Sequence, residues 1–180
     1  NKIIKGQYEV QKRSLLGINT ENENSELNQL NFALNEITVT RKNTASMIKV
    51  DTMLDNEFLT TYWSDGLIVS TPTGSTGYSL SCGGPIISPS SQNIVLTPIA
   101  PHSLAVRPLV IPEQTVIELH IDSRADEVLL TLDSRMYTLH NKSKLISVKR
   151  PVKTADPQLD DQTFIKTLRE KLLWGEDKRN

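Results

Sequence analysis

The densest group of residues that could do chemistry lies at positions 64–85, where the chain reads SDGLIVSTPTGSTGYSLSCGGP. A short apolar stretch is followed by a run of hydroxyls and glycines and then by Tyr78. Gly74 and Gly77 let a ligand approach the backbone, and the free N–H groups at a helix start favour an anionic or polar group. Tyr78 supplies a flat face for a base or a pyridine ring. These properties suit a nucleotide.

A plain polar connection between a strand and a helix would look similar. Turns rich in glycine and serine are common, and this run has neither the lysine of a P-loop nor a GxGxxG fingerprint. Composition alone therefore leaves both interpretations of the loop open.

Alternating apolar and polar residues predict the strands that must position this loop. Residues 48–54, 117–122 and 128–133 each place apolar side chains on one side, as a half-buried strand does. Turn-like segments at 54–57, 64–66 and 123–126 separate them. Short strands at this spacing predict a mainly β fold, a sandwich-like set of twisted sheets, with a short helix after the Gly/Ser/Thr loop.

Two segments depart from this alternation. Residues 19–31 are polar and rich in Asn and Glu, which predicts an exposed loop. Residues 151–157 begin and end with proline and predict a linker. We therefore expect a β-rich domain at residues 1–150, followed by a linker and a C-terminal helix at residues 151–180.

The C-terminal helix is predicted over residues 160–174. Its apolar residues and its start and stop signals have helical spacing. The apolar residues are Phe164, Leu168 and Leu172, the candidate caps are Asp160 and Asp161, and the stop is Gly175.

Charge and cysteine content exclude several function classes. The 20 Lys and Arg residues nearly balance the 21 Asp and Glu residues, with no basic stripe, which argues against nucleic-acid binding. No apolar run approaches the length of a membrane span. Cys82 is the only cysteine and cannot form an internal disulfide, so we expect a cytoplasmic protein. Because the sequence starts with Asn1 rather than Met, we expect a piece of a longer protein.

Several motifs, in this order and spacing, resemble the NAD kinase family. They are Ala33 to Glu36, the loop at 64–85, the LTPIAPHSL and RPLVIP segments at 96–104 and 107–112, Thr131 to Ser134, and Thr167 to Leu172. The resemblance covers most of the chain, from about Phe32 onward.

The resemblance implies roles for residues on both sides of a bound NAD. Asn35 holds the adenine and its ribose, and Thr76 and Gly77 line the adenosine side. Glu36 accepts hydrogen bonds from the hydroxyls of the nicotinamide ribose, a task that suits a carboxylate. Tyr78 and Ser81 line the nicotinamide side. Without the motif, Glu36 would be read as an ordinary exposed strand carboxylate and Tyr78 as a core aromatic residue.

The resemblance also implies self-association, as a homodimer or homotetramer, because the adenine pocket is built from two subunits. Asp65 reaches the adenine amino group of a neighbouring subunit's ligand, and Ala100 and His102 help to close the site across the interface. By physics alone, Asp65 could equally serve only the turn before Gly66. Arg135 replaces a common Gln of the family, and no role is carried onto it.

The implied activity is phosphorylation of the 2′-hydroxyl of the adenosine ribose of NAD, which gives NADP. The family's catalytic aspartate lies in a Gly-Gly-Asp-Gly motif of an upstream α/β domain, so this chain holds no catalytic residue and no predicted metal ligand. The phosphate donor, ATP or polyphosphate, and a divalent metal such as magnesium are expected to need that domain. We expect the C-terminal helix to pack on it, and the chain alone to be inactive.

Two alternatives remain from the sequence. The chain could be a non-catalytic dinucleotide-binding module, which the absence of an upstream Gly-Gly-Asp-Gly motif would favour. It could also be the β-rich part of a lipid kinase of the diacylglycerol or sphingosine type. The Asn35–Glu36 pair argues against the lipid kinase, since a ribose diol explains the pair and an acyl chain does not.

Overall fold

The computed structural model describes residues 4–6, 9–20, 27, 29–42, 46–158 and 163–173. The strands are β1 (Glu9–Thr20), β2 (Phe32–Ala33), β3 (Glu36–Arg41), β4 (Ile48–Leu54), β5 (Glu57–Ser64), β6 (Gly66–Ser70), β7 (Asn93–Ile99), β8 (Leu109–Pro112), β9 (Ile117–Asp122), β10 (Glu127–Leu132), β11 (Arg135–His140) and β12 (Lys144–Gln158). The helices whose bounds fall within the described residues are α1 (Tyr78–Ser81) and α2 (Phe164–Leu172), and a 3-10 turn at Gly74–Thr76 precedes α1.

These strands form two antiparallel sheets that pack face to face. The first sheet has the order β2-β1-β12-β9-β4-β5, and the second has the order β11-β10-β3-β6-β7-β8. A single apolar cluster joins residues of both, for example Ile117 and Leu119 of the first sheet with Ile37 and Leu67 of the second. The predicted mainly β, sandwich-like fold is confirmed.

The alternating segments become strands with one buried face, as the sequence predicts. In β9, Ile117, Leu119 and Ile121 are buried, whereas the intervening polar side chains are at least partly exposed. This separation gives the strand one face for the core and one for solvent.

The predicted turns have two different roles. Residues 54–57 form a hairpin turn between β4 and β5, where Asp55 and Asn56 have φ values of 49° and 69°. Residues 64–66 and 123–126 instead carry the chain from the first sheet to the second, because β5 and β9 belong to one sheet and β6 and β10 to the other. Gly66 is required at the first crossover, where a Cβ would lie 2.5 Å from the Val39 carbonyl oxygen.

Strand β6 lies inside the second sheet, between β3 and β7, and all five of its residues are buried. Leu67 and Val69 belong to the apolar cluster between the sheets. The outer face of the sheet lies under the segment that follows β6, since the Ser79 hydroxyl hydrogen-bonds Thr97 of β7 at 2.8 Å. The glycine- and hydroxyl-rich loop is therefore packed on the sheet.

The predicted linker at 151–157 is wrong, because these residues continue β12. Residues 145–147 of β12 pair with both β1 and β9, whereas the stretch from Thr154 to Gln158 pairs with β1 alone. Proline has no backbone N–H to donate to a neighbouring strand. A strand that is paired along only one edge therefore tolerates proline better than a strand paired along both. Pro157 accordingly lies opposite Val10 of β1.

The predicted polar loop at 19–31 is also only partly correct. Asn19 and Thr20 belong to β1, and Leu27 is 1% exposed. Asn31 accepts a hydrogen bond from the Ile18 amide at 2.9 Å. Residues 21–26 and 28 lie outside the described residues.

The predicted C-terminal helix is confirmed as α2, but the residues that cap its two ends differ from those predicted. The Thr163 hydroxyl accepts a hydrogen bond from the Lys166 amide at 3.2 Å and forms the N-terminal cap. Leu173, in the left-handed conformation, ends the helix. Asp160, Asp161 and Gly175 lie outside the described residues. In the part of the chain that the structure describes, no helix combines the length and apolarity needed to cross a membrane.

Candidate functional site

The Asn35–Glu36 segment is held in place by Asp133, which lies in the turn between β10 and β11. The Asp133 carboxylate accepts hydrogen bonds from the amides of Leu34 at 2.9 Å, Asn35 at 2.7 Å and Glu36 at 3.2 Å. In return, the Asp133 amide donates to the Glu36 carbonyl at 3.0 Å. The left-handed φ of 53° at Asp133 is one that a short polar side chain tolerates better than most. A residue about 98 positions away in the chain thus sets the conformation of the pair.

The loop after β6 contacts the same segment from the other side. The Thr71 amide donates to the Asn35 carbonyl at 2.8 Å, and the Thr71 hydroxyl donates to the Leu34 carbonyl at 2.6 Å. Gly74 lies so close that a Cβ built on it would stand 2.1 Å from the Asn35 carbonyl oxygen. Only glycine fits this approach, so the loop and the Asn35–Glu36 segment form one structural unit.

Buried hydroxyls fix the rest of the loop. The Ser75 hydroxyl donates to the Pro72 carbonyl at 2.7 Å and accepts from the Ile87 amide at 3.0 Å. The Ser79 hydroxyl hydrogen-bonds Thr97, as described above. Because Ser75 and Ser79 are fully buried, these bonds satisfy groups that would otherwise be costly.

Glu36 has an unusual environment for a carboxylate. Its Oε2 atom is buried and accepts no hydrogen bond from any described residue. The same atom lies beside the loop backbone, 3.5 Å from a Cβ built on Gly77. Burial, and secondarily the negative charge of Asp133, raises the pKa of Glu36. A bound hydroxyl would supply the missing donor and reduce the cost of this arrangement.

Tyr78 begins α1 and presents its ring at the surface, with 44% of the residue exposed. Partial burial, together with the charges of Cys82 and Asp65, raises the pKa of the Tyr78 phenol. The phenol also hydrogen-bonds the Cys82 thiol, whose own pKa is raised by burial. Tyr78 therefore offers a neutral hydroxyl and an accessible ring face.

Asp65, Ala100 and His102 form a second group at the crossover from β5 to β6. The Asp65 amide donates to the Ile99 carbonyl at 2.9 Å, directly before Ala100, and the His102 amide donates to the Trp63 carbonyl at 2.8 Å. Ala100 and His102 are exposed, and Ala100 has a left-handed φ of 44°. The effect of Asp65 on the Tyr78 pKa links this group electrostatically to the loop.

The remaining predicted residues lie on the exposed side of the loop. The Thr76 hydroxyl is 3.5 Å from the Thr73 carbonyl, at the limit of a hydrogen bond, and Ser81 is exposed at the end of α1. The structure thus brings Asn35, Glu36 and Gly77 into one site, with Thr76 and Tyr78 flanking Gly77 in the chain. Asp65, Ala100 and His102 lie together in the second group.

Two residues that organise the site had no role assigned from the sequence. Asp133 stood within a quoted motif, yet its function depends on a contact that only the folded chain creates. Arg135 donates to the carbonyls of Leu30, at 2.6 Å, and Phe32, and its guanidinium lies 5.3 Å from the centre of the Phe32 ring. It thereby fixes the segment that leads into Asn35.

The described residues do not provide a metal site. Among them, no group of three or more His, Cys, Asp and Glu side chains could hold an ion.

Comparison with known proteins shows what this chain is similar to. Residues 34–156 match the ATP-NAD kinase C-terminal domain family. The NAD kinase of Flavobacterium johnsoniae is 54% identical over 178 residues, which are 99% of this chain and 60% of that relative. The chain thus spans about three fifths of the length of the curated relatives it matches.

Two solved structures are also similar. The crystal structure of yeast NADH kinase complexed with NADH has a TM-score of 0.88 and 27% identity, and the match covers 99% of this chain and 54% of that one. An NAD kinase from Archaeoglobus fulgidus in complex with ATP has a TM-score of 0.77 and 25% identity, with 96% and 63% covered. On the strength of the family match, the chain belongs to the ATP-NAD kinase C-terminal domain family.

Proposed function

We propose that the chain is the NAD-binding part of a longer NAD kinase, which transfers a phosphoryl group from ATP to the 2′-hydroxyl of the adenosine ribose of NAD. The observation that carries the proposal is the buried Oε2 atom of Glu36, which has no donor among the described residues and lies beside Gly77. A ribose diol supplies two hydroxyl donors to such a carboxylate. The names of the relatives support the same substrate.

In this proposal the site binds and orients the dinucleotide. Asn35, Thr76 and Gly77 hold the adenosine side. Glu36 accepts from the nicotinamide ribose, and Tyr78 and Ser81 line the nicotinamide side. The rigid bonding of the Asn35 backbone to Asp133 and Thr71 supports this assignment, because a prearranged site loses little entropy on binding.

Phosphoryl transfer itself is assigned to the part of the relatives that this chain does not cover. Transfer from ATP or polyphosphate depends mainly on positioning and on neutralising charge, and a divalent metal such as magnesium supplies much of that neutralisation. Since these 180 residues contain no Gly-Gly-Asp-Gly motif, we assign this chain no step in the transfer beyond holding NAD.

We further propose that the protein works in the cytoplasm as a homodimer or homotetramer. Asp65, Ala100 and His102 of one copy would face the adenine bound to the next. Their grouping at one crossover and the exposure of Ala100 and His102 support this arrangement.

The activity is tested by measuring NADP formation from NAD and ATP. We expect turnover by the longer protein that contains this chain, and NAD binding without turnover by the 180 residues alone. A longer protein that binds NAD and forms no NADP would instead be the non-catalytic dinucleotide-binding module. A protein that ignores NAD and phosphorylates diacylglycerol or sphingosine would be the lipid kinase.

The role of Glu36 is tested by calorimetric titration of NAD into the longer protein. A hydrogen bond to a charged group contributes about 1.5–3 kcal/mol, so Glu36→Ala should weaken binding by roughly 10-fold or more. Glu57→Ala is the matched control, since Glu57 is an exposed carboxylate at the β4–β5 hairpin. Equal affinities in wild type and Glu36→Ala would contradict the assigned role.

A further inference from the structure

Arg41, the last residue of β3, is a charged neighbour of the second group that no motif accounts for. Its Nη2 atom lies 2.8 Å from Asp65 Oδ2, and each side chain is about 30% exposed. The two residues are also joined through the backbone, because the Arg41 amide donates to the Asp65 carbonyl at 3.0 Å. The Asp65 amide is in turn bonded to Ile99 of β7. The Asp65 backbone is therefore held from both neighbouring strands, and its carboxylate is held by Arg41.

The ion pair occupies one carboxylate oxygen and leaves the other available. Within the described part of the chain, Asp65 Oδ1 accepts no hydrogen bond. A carboxylate in a short crossover between strands can otherwise rotate about its side-chain bonds. A guanidinium bonded to Oδ2 restricts this rotation and gives Oδ1 a defined direction.

We propose that Arg41 is a positioning residue that aims Asp65 Oδ1 at the exocyclic amine of a 6-aminopurine and so sets the preference for adenine over a 6-oxopurine. The inference rests on the proposed function, in which Asp65 faces the adenine of a neighbouring copy. A carboxylate accepts a hydrogen bond from a 6-amino group, whereas a 6-oxo group presents only an acceptor and is repelled. A site built to accept from an amine thus rejects the analogue that lacks it.

The test compares NAD with nicotinamide hypoxanthine dinucleotide, in which oxygen replaces the adenine amino group. The dissociation constants of both are measured calorimetrically with the longer protein, for wild type, Arg41→Met, Asp65→Asn and the double variant. Lys42→Met is the matched control, because Lys42 follows Arg41 in the chain and pairs instead with Glu127.

We expect wild type to bind NAD more tightly than the analogue. We expect Arg41→Met to reduce the ratio of the two dissociation constants by about 1.4-fold to fivefold through weaker NAD binding. This size follows from the contribution of about 0.2–1 kcal/mol that a partly exposed ion pair makes. Asp65→Asn should reduce the ratio at least as much, and the double variant should match Asp65→Asn, since the proposal has Arg41 affect the choice of base through the Asp65 carboxylate. Lys42→Met should keep the wild-type ratio.

Either of two results would overturn the proposal. In the first, Arg41→Met keeps the wild-type ratio of dissociation constants for the analogue and NAD, whereas Asp65→Asn reduces that ratio. In the second, Asp65→Asn itself keeps the wild-type ratio. A merely structural role of Arg41 would weaken both ligands equally and leave the ratio unchanged, which is the first of these results. If Arg41→Met does not fold, Arg41→Gln carries the same expectation and the same overturning result. NADP formation by wild type, measured separately, shows whether the proposed function itself has failed.

Discussion

Glu36 is the residue at which stability and binding are in conflict. Its Oε2 atom is buried without a donor among the described residues, and its pKa is raised by burial and by Asp133. Because the folded pKa lies above the unfolded one, the unfolded chain ionises first as pH rises, and stability is lost between the two pKa values. The folded protein therefore carries the cost of an ionised Glu36 at neutral pH. A ligand hydroxyl that bonds Oε2 recovers part of that cost.

This conflict predicts a pH dependence of NAD binding. The ionised carboxylate accepts both ribose hydroxyls, so affinity should be constant above the raised pKa of Glu36 and fall as pH decreases through it. The fall should begin at a higher pH than the ordinary glutamate pKa of 4.5 allows. Calorimetric titrations across this range in wild type and Glu36→Gln check it.

The Gln variant should bind more weakly at neutral pH, with no such pH dependence, and should unfold at a higher temperature. A wild-type affinity that is flat down to the ordinary glutamate range would contradict the assignment.

At the scale of elements, the loop after β6 and the corner between β2 and β3 form a single unit. The loop was predicted from its composition, as was the short helix after it, which the structure places at Tyr78–Ser81. The contact between Gly74 and Asn35 was not predicted, because the two residues are distant in the chain. That contact makes the two glycines of the loop unequal, although both were first interpreted as space for a ligand.

This inequality predicts opposite outcomes for two alanine substitutions. In Gly74→Ala, the new Cβ would stand 2.1 Å from the Asn35 carbonyl, so the loop must move and NAD binding should be lost. In Gly77→Ala, the nearest atom is the Gly74 carbonyl oxygen at 3.2 Å, which a small shift accommodates.

Titration of NAD and urea denaturation of both variants measure this difference. We expect Gly77→Ala to bind within roughly fivefold of wild type, since a small shift costs about 1 kcal/mol or less. Comparable binding by Gly74→Ala would show that the loop is not held against Asn35.

At the scale of the whole molecule, the two sheets enclose a core that contains one unsatisfied threonine among the described residues. Thr52 of β4 is fully buried, and its hydroxyl has no partner there. It shares the inward-facing side of β4 with Ile48 and Val50, which belong to the apolar cluster between the sheets. Thr38 of β3 is also buried, yet its hydroxyl bonds that of Thr131 on the neighbouring strand.

Valine substitutions at Thr52 and Thr38 should have opposite effects on the free energy of unfolding. Thr52→Val removes an unpaired hydroxyl and should raise the free energy of unfolding by about 1 kcal/mol. Thr38→Val breaks a hydrogen bond and should lower it by about 1 kcal/mol. Urea denaturation of each variant measures the change. Destabilisation by Thr52→Val would mean that its hydroxyl is satisfied.

The sequence by itself determined the alternating strands β4, β9 and β10, the loop and the family, since each depends on local order. Alternation along β9 follows from the period of a strand, and the spacing of the Asn35–Glu36 pair and the loop is visible without a fold. Only the tertiary structure decided that residues 64–66 and 123–126 connect different sheets, and that Pro157 lies in a strand.

Only the tertiary structure also identified the residues that hold the site in place. Asp133, Arg41 and Gly74 acquire their roles from partners that come close only when the chain is folded. Strand pairing and burial are set by long-range contacts, so one chain position carries no local sign of which distant residue it will meet.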